Sequence, residues 1–208
     1  MLGDSEALDR ALAEHPFEPG NYLARDRLML PYWRRDFPTA RRAIADYPLD
    51  LLEQQFYLTP KSLLSARVEH AAGDPEATVQ EATQALEELD TILAEHPGDY
   101  RAMSARAFAL ALLGRGSEAR NWADRALDQP EPGKDVVLKG ALSADRLFVL
   151  ALVAGSGELA REFEAYLALP LKFWHFDGLL LDPIFDPHRD HPASQALAAK
   201  YSRKEGAR

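Results

Sequence analysis

Leu93-Ala94-Glu95-His96-Pro97 repeats, residue for residue, an earlier stretch of the same chain, Leu12-Ala13-Glu14-His15-Pro16. Both put a proline where a helical run ends. Proline cannot donate to the helix ladder, and it drives the preceding residue out of the α region. Ile44-Ala45-Asp46-Tyr47-Pro48 and Leu167-Ala168-Leu169-Pro170 are weaker echoes. A second punctuation accompanies the first: Gly73, Gly114 and Gly155 lie 41 residues apart. Each glycine closes an apolar run, and an acidic and a small residue soon follow: Glu76-Ala77, Glu118-Ala119, and Glu158 with Ala160. Glycine suits a left-handed turn between antiparallel helices because it has no Cβ to clash. Self-similarity at such a period is the signature of stacked helical units.

These marks divide the chain into helix pairs. The spacing predicts helices over 21–34 and 38–46, then 59–72 and 75–95, then 99–113 and 117–127, then 136–153 and 158–167. In the third pair Met103, Ala107, Leu110, Ala111, Ala119, Ala123, Ala126 and Leu127 follow helical periodicity. Ala66, Ala107 and Ala119 are small enough to let neighbouring helices approach closely. Strand signals are nearly absent. The expected fold class is all-α: a right-handed superhelical array of antiparallel helix pairs, about four pairs with terminal caps. Residues 1–170 make up the array, with 1–16 as a capping helix or partial repeat, and 171–208 form a C-terminal capping segment.

With 208 residues the chain suits one domain or a short array. It has no cysteine, which excludes disulfides, thiolate metal ligands and a cysteine nucleophile, and which fits a reducing cytoplasm. The start, MLGDSEALDR, shows no basic region followed by an apolar one, so no secretory signal is visible. The longest apolar runs, 107–113 and 147–154, are too short to span a bilayer. Residues 49–99 carry 2 basic and 11 acidic side chains, which accounts for the whole net charge of −9. An acidic middle without a basic stripe argues against direct nucleic-acid binding.

The third unit resembles the tetratricopeptide repeat family. With the unit starting at Tyr100, the small residues that family places at its eighth, twentieth and twenty-seventh positions fall on Ala107, Ala119 and Ala126, and a turn glycine on Gly114. Arg106 and Ala123 depart from the pattern, and the second unit's longer helix gives a longer period than the usual length of about 34 residues. The stretch Leu179–Pro192, with Gln195-Ala196-Leu197 after it, resembles the tail closing such repeat regions in bacterial signalling proteins that carry a kinase, a cyclase or a winged-helix domain. His188, Ala193 and Ser194 depart from that tail. Glu6–His15 reads as a second helix without its first. Either the array is the repeat portion of a longer polypeptide, or that helix is a free-standing cap.

Such an array lines its concave side with the first helix of each pair. The expected groove residues are Tyr22, Arg25, Met29, Tyr32 and Trp33 in the first unit, Leu63, Arg67 and His70 in the second, and Arg101, Ser104 and Phe108 in the third. Aromatic rings offer rigid contact area and arginine reads carboxylates with a fork of donors, a combination suited to a peptide or helix ligand. The competing reading has Met29, Trp33, Leu63 and Phe108 filling the core, which leaves Arg25, Arg67 and Arg101 as the stronger candidates.

Asp182, Asp186, His188, Asp190 and His191 form the one metal-like cluster in the sequence, but Asp-Pro steps more simply open turns and cap helices. No metal or cofactor is expected. The sequence holds no G-x-x-x-x-G-K-[ST], G-x-S-x-G, H-E-x-x-H or G-x-G-x-x-G, and the reading is non-catalytic. The expected function is a regulatory or scaffolding module that binds a protein or peptide partner, with homo-oligomers through exposed repeat ends also possible. The alternative is a ligand-sensing or regulatory portion of a larger bacterial signalling protein.

Overall fold

Aspartate opens four of the long helices. In the computed structural model, which describes residues 14, 24–129, 134–172 and 174–202, Asp36 accepts from the Thr39 amide at 3.2 Å and starts α2, Phe37–Ala45. Asp74 accepts from the Ala77 amide at 3.0 Å and starts α4, Pro75–Glu95. Asp99 caps α5, Tyr100–Leu112, and Asp135 caps α7, Val136–Val153, each accepting two amides. A carboxylate here satisfies otherwise orphaned N–H groups and faces the positive end of the helix dipole. The remaining long helices are α1 (Ala24–Trp33), α3 (Lys61–Ala72), α6 (Gly116–Leu127) and α8 (Ser156–Leu167). After them come α9 (Phe176–Leu179), a 3-10 turn (Pro183–His188) and α10 (Pro192–Tyr201).

The chain is mostly helical, and each helix from α1 to α8 packs against the next. Contacts also run between alternate members, α3 with α5 and α5 with α7. Ala66, Ala107 and Ala119 are fully buried where these helices meet. Gly73 and Gly114 adopt positive φ, 78° and 72°, as the turn reading requires. Gly155 does not: at φ −72° and ψ 152° it is extended, because α7 ends at Val153 and Gly155 already stands as the residue before α8. Gly140 is held by space, since a Cβ there would come within 2.8 Å of the Leu171 carbonyl oxygen, a backbone atom that cannot rotate aside.

The mostly helical chain also holds one short hairpin. Leu51–Glu53 (β1) and Leu58–Pro60 (β2) pair antiparallel, with Leu52 opposite Thr59. The hairpin delays the helix expected from residue 59 until Lys61, because Pro60 is still extended and the Lys61 amide bonds back to Asp50 at 2.7 Å.

Two buried clusters form. The smaller joins α1 and α2 through Leu28, Met29, Tyr32, Ala40 and Ile44 to Leu64 and Val68 of α3. The larger runs from α3 to α10. The C-terminal segment belongs to it: Phe176, Leu179, Ile184, Phe185 and Leu197 are all buried there. Phe185 is its centre, with ring centroids 5.3 Å from Phe148 and 5.2 Å from Phe163. Among the described residues no helix is long and apolar enough to cross a membrane.

Candidate functional site

The C-terminal segment also reaches back to α1 and the turn that follows it. The Tyr32 hydroxyl donates to Asp182 Oδ1 at 2.6 Å, and the Arg67 guanidinium pairs with Asp182 Oδ2. Arg35, which has a positive φ of 60° in the turn after α1, donates to both Asp186 carboxylate oxygens at 2.8 and 3.1 Å. Asp182 is 2 % exposed and Tyr32 1 %. Burial and the Asp182 charge push the Tyr32 hydroxyl well above its usual range. Burial works against the Arg67 charge, but Asp182 and Tyr32 outweigh it and hold that guanidinium firmly protonated.

Within this frame lie two adjoining cavities. The first, of about 580 Å³ counting its open mouth, is lined by Arg25, Tyr57, Leu63, Arg67, Arg101, Ser104, Phe108, Asp145 and Phe148, among others. The second, of about 520 Å³, is lined by Arg25, Met29, Trp33, Arg67, Asp145, Phe148, Trp174 and the Gly178–Asp182 stretch. Arg25, Arg67, Asp145 and Phe148 belong to both, so the two are lobes of one cleft. It lies between α1, α3, α5 and α7, roofed on one side by the C-terminal segment.

The expected groove residues divide accordingly. Arg25, Leu63, Arg67, Arg101, Ser104 and Phe108 line the first lobe, and Met29 and Trp33 the second. Tyr32 does not line it; its ring is buried behind Arg67, 5.4 Å from the guanidinium carbon, with its hydroxyl fixed by Asp182. His70 is exposed in the last turn of α3 and lines neither lobe. Tyr22 and the proposed cap 1–16 fall outside the described residues, apart from Glu14.

Two of the three arginines are already engaged by other groups of the chain. Arg67 holds Asp182 and stacks between the rings of Phe108 and Phe148, 5.3 and 4.7 Å away. Arg101 binds Asp99 and Glu53 and donates to the Gln54 carbonyl at 2.9 Å, fastening the hairpin to α5. Arg25 differs. Its guanidinium lies over the Tyr57 ring at 4.4 Å and 5.9 Å from the Trp174 ring, and among the described residues it makes no hydrogen bond or ion pair. Asp145 lines the same two lobes, and among the described residues it accepts one hydrogen bond, from Ser104 Oγ at 3.2 Å. Burial raises the Asp145 pKa, while the Arg25 and Arg67 charges pull the other way.

Asp145, Tyr57, Phe148 and Trp174 are lining residues that sequence reasoning missed. For Asp145 a signal existed. Leu63, Ser104 and Asp145 succeed one another at 41 residues, the same interval as the glycines, so continuing the register into the fourth unit lands on Asp145.

The acidic and imidazole cluster of the tail serves the fold. Asp182 caps the 3-10 turn through the Ile184 amide at 3.1 Å, as the Asp-Pro reading expects. Asp186 joins Arg35 and Arg189. His188 contacts Ser156 Oγ at 2.8 Å through Nδ1 and the Ala151 carbonyl at 2.7 Å through Nε2. His191 caps α10 by accepting from the Ala193 amide at 3.2 Å. Among the described residues no three His, Asp or Glu side chains are grouped to hold a metal ion. Compared with known proteins, the chain matches no family model, no curated protein and no solved structure.

Proposed function

We propose that the chain is a non-catalytic binding module of the tetratricopeptide type, which receives a segment of a partner protein in the cleft between α1, α3, α5 and α7. The observation that carries this reading is that Arg25 and Asp145 line one aromatic-walled cleft and, among the described residues, form no ion pair. Leaving two opposite charges in one cleft without pairing them costs stability, and such groups are characteristic of sites kept ready for a ligand. Succession of short helix pairs, with α3 against α5 and α5 against α7, supports a superhelical stack whose first helices face the ligand. Because Asp182 and Asp186 tie the tail to Tyr32, Arg67 and Arg35, the remaining space suits an extended segment or chain end and not a whole helix.

A second reading, a ligand-sensing part of a larger signalling protein, draws on the same bridge. An occupant of the cleft touches α1 at Arg25 and the tail at Trp174, so its binding bears on both ends of the array at once. The test is selection from a peptide display library on wild type and on Arg25→Ala. The expected result is a consensus enriched on wild type and lost on the variant, with helical content unchanged. Enrichment of the same sequences on both proteins overturns the cleft assignment.

A further inference from the structure

The cleft's two uncommitted charges set the chemistry of what enters it. Arg67 is balanced by Asp182, and Arg101 by Asp99 and Glu53. That leaves one cation, Arg25, and one anion, Asp145, which line the same two lobes but form no ion pair with each other among the described residues. A guanidinium over the Tyr57 ring still has its N–H donors to offer to a carboxylate. The Asp145 carboxylate, which among the described residues accepts from the Ser104 hydroxyl alone, retains acceptor positions for an ammonium. Between and around them stand Phe108 and Phe148, with Tyr57 and Trp174 beside Arg25. Other candidate occupants fit less well. A dianion such as phosphate would meet Asp145, and a plain cation would meet Arg25.

We propose that the cleft recognises an amphoteric ligand, one that carries an ammonium group and a carboxylate a few atoms apart on an apolar body, with Asp145 and Ser104 taking the ammonium and Arg25 the carboxylate. The inference rests on the cleft being the binding site and adds the class of ligand. A free aromatic amino acid has this chemistry, and so does a peptide whose free amino terminus is followed by an acidic side chain.

The experiment is calorimetric titration of the full chain with L-phenylalanine, N-acetyl-L-phenylalanine, L-phenylalaninamide, and a peptide beginning Phe-Glu with and without N-acetylation. Removing either charge from the ligand is expected to weaken binding about tenfold or more, the usual effect of deleting a charge-assisted hydrogen bond. Arg25→Ala should weaken L-phenylalanine but leave the amide's weaker binding nearly unchanged. Asp145→Asn, which keeps a hydrogen-bonding group for Ser104, should do the same with the N-acetyl compound as the insensitive probe. Binding of free phenylalanine identifies a small-molecule site, and binding of the unacetylated peptide alone identifies a chain terminus; either supports the proposal. Equal affinity for blocked and unblocked probes overturns it. If no probe binds while the display library still yields an Arg25-dependent consensus, the amphoteric class is wrong and the binding module stands. If neither binds, both fail.

Discussion

Asp182→Ala is expected to destabilise the fold by about 3 kcal/mol or more, because it strands a largely buried guanidinium without its counter-charge. For a chain of this length that corresponds to a fall in Tm of roughly 10 °C. The size follows from the position of the pair. Asp182 is nearly inaccessible, the Arg67 side chain is 19 % exposed, and the Tyr32 hydroxyl loses its acceptor in the same substitution. Replacing both partners with apolar residues, Arg67→Met with Asp182→Leu, should recover a substantial part of the loss, since no buried charge is then left unpaired. Thermal and urea denaturation of the two variants checks this. If the double variant is as unstable as the single one, the ion pair is not what holds the tail to α1 and α3.

The second large effect is expected at Phe185. Its side chain is 1 % exposed and sits between Phe148 of α7 and Phe163 of α8. Truncation to alanine removes those contacts and leaves a cavity that three separate elements would have to collapse to fill. Substitutions of this kind cost about 3–5 kcal/mol. The loss should appear as one cooperative transition, with amide exchange accelerating in α7, α8 and α10 together, because the C-terminal segment shares the main core. A cost below about 1 kcal/mol, or exchange that speeds up in α10 alone, would show that the segment is an appendage.

Most of the helical layout was legible in the sequence for local reasons. The bounds 75–95 and 136–153 match the observed helices, where Asp74-Pro75 and Asp135 open the runs and His96-Pro97 and Ala154 end them. Gly73 and Gly114 were legible as turns because positive φ leaves few alternatives to glycine. Gly155 shares their spacing, but spacing alone does not tell a residue closing one helix from one preceding the next. The hairpin was missed because Leu51–Glu53 and Leu58–Pro60 are only three residues each, too short for alternation to register.

The site was half legible. Helical position brought Arg25, Arg67, Arg101 and Ser104 to one cleft. What each does there depends on partners remote in the chain: Asp182 lies 115 residues from Arg67, and Gln54 lies 47 from Arg101. No local pattern encodes such a pairing, so the expectation treated three arginines alike where, among the described residues, one has no ion pair. Asp145 was hidden by its setting, a long apolar helix in which Arg146 next to it is neutralised by Asp124 and Glu162.

The central claim is that the cleft between α1, α3, α5 and α7 is where this protein binds. It is tested most directly by titrating isotope-labelled protein with the peptide selected on wild type and mapping the NMR shifts. The largest changes are expected on the Arg25 guanidinium N–H and on the amides around Ser104, Asp145 and Trp174. Changes concentrated instead on the acidic outer face of α4, or on the apolar hollow between α8 and α10, with Arg25 unmoved, would contradict it.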